Sequence, residues 1–363
     1  EEERFKRVKH WAGFPRLAIE FCMKEAGVTY EQVDFFAIGR DPKAKFINKL
    51  LYLAANPAGS FKAVKDRLAN SRKVASIQNE LAEMSGLPES LFIPKIKQVE
   101  HHRSHLASAF FASPFDEAAC LSIDGSGDFS TTMIGTGKGN KIHVIDSVDF
   151  PHSIGIFYTA FTQLLGFPHY GDEYKVMGMA PYGEAKYTDQ LHDVVKLTAD
   201  GLFKLNLDYF RKGTAGVISY GDDHIPVVAP MFSDLMVRKF GQPRAKDEPL
   251  SQYHKDLAAS VQRMTEIAIF HILNHLHKRT GLDSVCIAGG VAQNSVANGK
   301  ITRNTGFKHV YIPSAGHDAG ISMGAALYVQ QQLLELPRQE PIYSAYTGSR
   351  FSNEEIRAIL DAK

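Results

Sequence analysis

Cysteine is scarce in this chain: Cys22, Cys120 and Cys286 are far apart, odd in number and without a Cys-x-x-Cys spacing. That excludes a disulfide framework and a thiolate metal site, and it points to a reducing, cytoplasmic setting. No apolar run reaches the ~18 residues of a membrane span, and no signal peptide opens the chain, so no membrane partner is expected. Charge of one sign is not in excess either. Lys and Arg number 41 against 40 Asp and Glu, a net charge of +1 that leaves no global footprint for nucleic acid. Internal repeats and low-complexity tracts are absent as well.

What is present is ordinary globular composition, 44% hydrophobic and 22% charged, over 363 residues. A prior of roughly 150 residues per domain gives about two domains or one two-lobed unit. The opening Glu-Glu-Glu-Arg-Phe-Lys-Arg-Val-Lys-His has no initiator Met and starts inside a charged stretch, so the chain reads as an excised fragment.

Periodicity predicts a helix over 14–26 stopped by Gly27, a strand over 33–38, a polar surface helix over 61–84, and a strand over 95–100. A histidine cluster then leads into an apolar helix through Leu106, Phe110 and Phe111. Three short strands over 118–124, 129–135 and 141–149 form a meander, followed by an amphipathic helix over 154–165 and a long one from Leu250 to Arg279. Strand 284–288, helix 295–303, strand 308–312 and helix 318–333 alternate as an α/β unit. Residues 337–346 read as a linker, and a further helix starts near Phe351.

Several segments carry side chains suited to chemistry. His101 and His105 are four apart, on one helix face, where two imidazoles can share a metal ion. A zinc peptidase would want Glu where His102 stands, so that reading loses its base; a plain surface or cap pair is the alternative. Asp124-Gly125-Ser126-Gly127-Asp128 is either a hairpin turn or a turn whose backbone cradles an anion while the Asp holds a cation. Gly289-Gly290 through Asn294 follows a strand and opens a helix, a setting for phosphate, although it is not the Gly-x-Gly-x-x-Gly of dinucleotide folds. Asp318 stands at a helix start, where a cap alone would explain it. In the glycine-rich 171–178 stretch Glu173 and Lys175 could meet ribose and phosphate, or simply sit on an exposed loop.

Six blocks in order resemble the O-carbamoyltransferase family that includes nodulation enzymes and those that carbamoylate cephem and aminoglycoside antibiotics. They are EEERFKRVKH, HHRSHLASA, SIDGSGD, EYKVMGMAPYG, AGGVAQNSVANGK and DAGISMGAA. The resemblance implies an α/β, two-lobed, actin-like ATPase fold of the ribonuclease H-like kind, related to the tRNA threonylcarbamoyl-transfer domain. Its lobes would be residues 1–116 and 117–335, with 336–363 a linker and the start of a further module. By the same resemblance His101, His105, Asp124 and Asp318 are metal ligands, with iron(II) the expected ion; an N2O2 set by itself suits Fe(II), Mn(II) or Zn(II) alike. Carbamoyl phosphate and ATP would be co-substrates, converted elsewhere to carbamoyl adenylate, whose carbamoyl group passes to a hydroxyl of a small molecule or saccharide. Lys9 and His10 match positions near that group and are expected to be catalytic. Gly125, Gly127, Glu173, Lys175, Gly289, Gly290 and Asn294 are expected to face the nucleotide, and a second copy of the chain is an expected partner.

Two features depart from the family's pattern. The strand pair that precedes the EEER block in the family and the adenylate-forming domain that follows it are both expected to be missing from this sequence, so the isolated chain is expected to be inactive from carbamoyl phosphate and ATP. A tRNA threonylcarbamoyl-transfer relative and a non-catalytic nucleotide-binding module are the competing readings; a metal site separates the last from the other two.

Overall fold

A computed structural model describes residues 1–55, 77–211, 217–220 and 224–362. The alternation of apolar residues from Ala118 onward builds β3 (Glu117–Gly127), which pairs antiparallel with β4 (Ser130–Lys138), itself antiparallel to β5 (Lys141–Asp149). On the other side of β3 lies β6 (Ser284–Ala288), parallel to it, and β7 (His309–Tyr311) runs parallel to β6. The product is a five-stranded mixed sheet in the order β7-β6-β3-β4-β5. A smaller parallel pair joins β1 (Phe36–Ile38) to β2 (Ile96–Gln98), both shorter than the runs 33–38 and 95–100 that propensity predicts.

Successive strand residues point to opposite faces, and β3 shows it. Ala119, Leu121 and Ile123 enter one apolar cluster, with α6 (Ile154–Leu164) and the 29-residue α8 (Gln252–Thr280) packed there. Ala118 and Cys120 enter the second cluster, with α5 (His101–Phe110) and α9 (Ile321–Leu327). A helical layer therefore covers each face of the sheet, an α/β arrangement. The same parity aims Ser122 and Asp124 toward α5.

Three expected elements differ in detail. The run 295–303 forms two single turns, Ser295–Asn298, capped by the Asn294 side chain, and Ile301–Asn304, with Gly299 and Lys300 between them. The run 318–333 begins as a 3-10 turn, continues as α9 and ends as a π-helix, Tyr328–Leu333. Of the polar helix expected over 61–84, residues 61–76 lie outside the described residues, and α4 (Ile77–Ser85) is its described end.

At the amino end α1 (Glu3–Lys6) is a single turn, and the buried Glu2 carboxylate accepts from Leu17 and Ala18 N–H at 3.3 and 2.9 Å. Those are free amides in the first turn of α2 (Arg16–Ala26), so a residue far back in sequence serves as its cap. Among the described residues no helix is long and apolar enough to cross a membrane.

Candidate functional site

Every residue of α5 except Arg103 is buried, and its first turn carries the site. Glu100 caps the helix by accepting from Arg103 N–H at 2.7 Å, and Asp128 accepts from His101 N–H at 3.0 Å. With its start fixed, α5 turns the Nε2 atoms of His101 and His105 to the same point. Each meets Asp124 Oδ2, at 3.2 and 3.0 Å, and Asp318 Oδ1, at 3.6 and 3.5 Å. Asp124 arrives from the sheet: the β3–β4 ladder is regular through Ile123 and shifts register before Gly127, so Asp124 keeps the strand's direction but stands just past its last regular pair. Asp318 arrives from the turn before α9, where His317 Nδ1 accepts from Ala319 N–H at 3.1 Å.

One ligand atom from each of these four residues lies within 4.8 Å of the rest, a group that could hold a metal ion. Bonds of about 2.0–2.2 Å around a tetrahedral ion separate donors by about 3.3–3.6 Å, close to the four histidine-to-carboxylate spacings here. The electrostatics agree. Burial opposes charge on His105, yet bonds to Asp124 and Asp318 carry its pKa up to about 9, and His101 shifts upward for the same reasons. Asp124 is likewise buried, and the two histidines hold it well below the usual carboxylate range. Such a cluster draws in positive charge, as protons or as a cation that displaces them. Burial and the neighbouring His101 and His105 keep His102 neutral instead, with Nδ1 at 2.8 Å from Ser122 Oγ.

The glycine turns surround this cluster. Because β3 and β6 run parallel, with Ala288 opposite Ser122, both lead to the same edge of the sheet. There Asp124 Oδ1 accepts from Gly125 N–H at 2.7 Å and Gly290 N–H at 3.1 Å. Gly127 lies so close to the His101 ring that a Cβ would sit 2.1 Å from it, and Gly289, at φ +103, leaves its backbone against Ile123 O.

Lys9, His10, Glu173 and Lys175 form a second grouping. Glu3 accepts from His10 N–H at 2.7 Å, and the His10 ring meets the Tyr170 ring edge-on at 5.2 Å. Lys9 Nζ lies 5.1 Å from the Tyr174 ring centre. Burial and then Lys9 lower the His10 pKa, against Glu3 and Glu173 which raise it, and buried Nε2 has no hydrogen-bond partner. Glu173, in α7 (Glu173–Met179), accepts from Thr159 Oγ1 at 2.6 Å, and Lys175 pairs with Asp172 at 2.6 Å.

Asn294 is buried, and its amide is engaged: Nδ2 donates to Gln262 at 2.8 Å, while Oδ1 accepts from Gln262 Nε2 and Ala297 N–H, both at 3.0 Å. Gln262 also lines a cavity of about 310 Å³ with Pro181, Arg263, Glu266, Val296 and Lys300. Sequence reasoning passed over this cavity. Its available signal was Gln262 and Glu266, two polar residues four apart on the buried face of a long helix. The contacts of His317, Tyr170 and Tyr174 were passed over as well, although each lies beside a segment that was singled out.

A buried pair of imidazoles and two carboxylates, set on a mixed sheet beside glycine turns, defines a metal-capable α/β protein. Residues 1–327 match the family described as Carbamoyltransferase N-terminus, and the chain belongs to that family. An uncharacterised protein of Synechocystis sp. is 41% identical over 99% of this chain and 58% of its own length. The nodulation protein NolNO of Sinorhizobium fredii is 32% identical over 96% of this chain and 46% of its own length. The nodulation protein NolO of Bradyrhizobium diazoefficiens is 34% identical over 71% and 43% respectively. The chain thus spans about half the length of the curated relatives it matches. Among solved structures, HypF of T. kodakarensis aligns with a TM-score of 0.35 and 15% identity over 73% of this chain and 39% of its own.

Proposed function

We propose that this chain is the part of a carbamoyltransferase in which a carbamoyl group passes from carbamoyl adenylate to a hydroxyl of a small molecule or saccharide. The observation that carries the reading is the convergence of His101, His105, Asp124 and Asp318 in a chain of this family. In this reading carbamoyl phosphate and ATP are the co-substrates from which the adenylate is made. The fold is taken as two actin-like lobes, 1–116 and 117–335, followed by the segment 336–363. A cytoplasmic setting accords with the free, buried thiols of Cys120 and Cys286, and a second copy of the chain is the partner considered.

His101, His105, Asp124 and Asp318 hold one divalent ion, Fe(II) in this reading, which when bound supplies Lewis-acid polarisation of the carbamoyl or phosphate oxygen. Gly125, Gly127, Gly289 and Gly290 let the nucleotide approach backbone, with Glu173 toward ribose and Lys175 toward phosphate. Asn294 acts there through Gln262, whose side chain lines the cavity taken here to receive the base. The acceptor oxygen attacks the carbamoyl carbon, the bond from that carbon to the phosphate oxygen breaks, and AMP leaves with the electron pair. His10, kept neutral by burial and by Lys9, receives the hydroxyl proton at Nε2, and Lys9 steadies the charge that develops.

The test is to incubate the full-length protein with radiolabelled carbamoyl phosphate, ATP, Fe(II) and a panel of hydroxylated acceptors. Label should move to an acceptor in the native protein and not in His105→Ala. No transfer to any acceptor, with label and ATP untouched in the full-length protein, would count against the reading.

A further inference from the structure

Two partly exposed tyrosines adjoin the expected catalytic pair. Tyr170 is 40% exposed and Tyr174 54% exposed. Each nevertheless meets one member of the consecutive pair: the Tyr170 ring stands at 88° to His10 with centres 5.2 Å apart, and Lys9 Nζ lies 5.1 Å from the Tyr174 centre. Between them in sequence is Gly171, at φ +80, whose Cβ would stand 2.4 Å from His10 Nε2. Only a glycine both adopts that backbone and leaves the imidazole its place.

Both sides of this contact are anchored. On one, Glu2 is fixed to the start of α2 and Glu3 to the His10 N–H. On the other, buried Asp172 accepts from His169 N–H at 3.1 Å and pairs with Lys175, while Glu173 is held by Thr159. Lys175 Nζ also lies 5.9 Å from the Tyr174 centre, so one ring carries two ammonium groups on segments that are otherwise separate in sequence. An ammonium within about 6 Å of a tyrosine face is drawn to it by the negative side of the ring quadrupole, which biases where the lysine head group sits.

We propose that Tyr170 and Tyr174 are positioning residues that seat His10 and Lys9, one ring to each side chain, at the reacting centre. The proposal rests on the carbamoyl-transfer reading for what the pair does, but the seat itself is measurable apart from activity. Charged and titratable groups facing His10 are Lys9, Glu3, Glu173 and His317; both tyrosine substitutions leave these residues in the sequence, and only Lys9 is seated by a substituted ring. An aromatic face without a hydroxyl should suffice, so phenylalanine should replace tyrosine and leucine should not.

The experiment compares the full-length protein with Tyr170→Leu/Tyr174→Leu and Tyr170→Phe/Tyr174→Phe, using carbon-labelled histidine and the His10 resonance assigned with His10→Ala. In the leucine pair that resonance should lose its ring-current shift and titrate closer to ordinary histidine. AMP release from carbamoyl adenylate should lose about ten- to a hundredfold in kcat with a smaller change in KM. The phenylalanine pair should restore both. Should the leucine pair melt early, Tyr174→Leu alone reads Lys9 through kcat and Tyr170→Leu alone reads His10 through its resonance. An unmoved His10 resonance in the leucine pair, or a moved one with kcat intact, overturns the proposal. In the second case His10→Ala locates the fault, since a kcat that survives it removes the catalytic reading of His10 itself.

Discussion

Gly290 donates its backbone N–H to Asp124 Oδ1 at 3.1 Å, tying the turn after one parallel strand to the carboxylate at the end of its neighbour. A Cβ at Gly290 would stand 2.7 Å from that oxygen, and its backbone has no positive φ to strain. Gly290→Ala should therefore move the carboxylate and not the fold. We expect divalent-ion affinity to fall about tenfold, as for the loss of an outer contact on a ligand, with Tm nearly unchanged. Calorimetric titration with Co(II) checks it.

Gly127→Ala should be harsher. Its Cβ would overlap the His101 ring at 2.1 Å, and the ring is hemmed in by His105 at 4.7 Å between centres. We expect divalent-ion affinity to fall by at least about a hundredfold and Tm to fall as well. A variant that binds Co(II) as the native protein does would show that His101 is not held by this contact.

Much of this was legible in sequence, because strand parity and helical spacing are local. His101 and His105, four apart, face one way, and Asp124 inherits its direction from Ala118 and Cys120. The meander and the long α8 follow from the same periodicities. What was not legible depends on residues distant in chain. Nothing near Glu2 says that its carboxylate caps α2. The Asn294–Gln262 pair spans two elements, so no spacing rule could expose it. The run 337–346, read as a linker, contains Arg338, whose guanidinium reaches the end of α5.

That guanidinium donates to the carbonyls of Phe110, at 2.9 Å, Ser113, at 2.9 Å, and Phe115, at 2.5 Å. It also lies 4.7 Å from the Phe110 ring centre. A cation at a helix C-terminus satisfies carbonyls that the helix leaves open. Arg338→Ala should cost about 2 kcal/mol of unfolding free energy, and Arg338→Lys should recover part of it. Urea unfolding monitored by circular dichroism gives the answer.

Asp256 ties the 180–186 segment to α8. Its carboxylate accepts from Lys186 Nζ at 2.8 Å, Glu184 N–H at 2.9 Å and Gln252 Nε2 at 2.8 Å. Lys186 above all pulls its pKa down to about 2. A depressed carboxylate stabilises the fold above its unfolded value of ~3.9 and loses that contribution as pH falls through the folded value. The Tm of Asp256→Asn should therefore lie below native at neutral pH, and the gap should narrow below pH ~4 and close near pH 2. A gap independent of pH would assign the effect to shape alone.

The central claim is one divalent ion held by His101, His105, Asp124 and Asp318 and required for carbamoyl transfer. The most direct measurement is titration of chelator-stripped full-length protein with Fe(II) under anaerobic conditions, reading bound metal and AMP release from carbamoyl adenylate together. The native protein should bind one equivalent and gain activity in step with it, while His101→Ala/His105→Ala should do neither. Equal binding and equal activity in the two proteins would contradict the account.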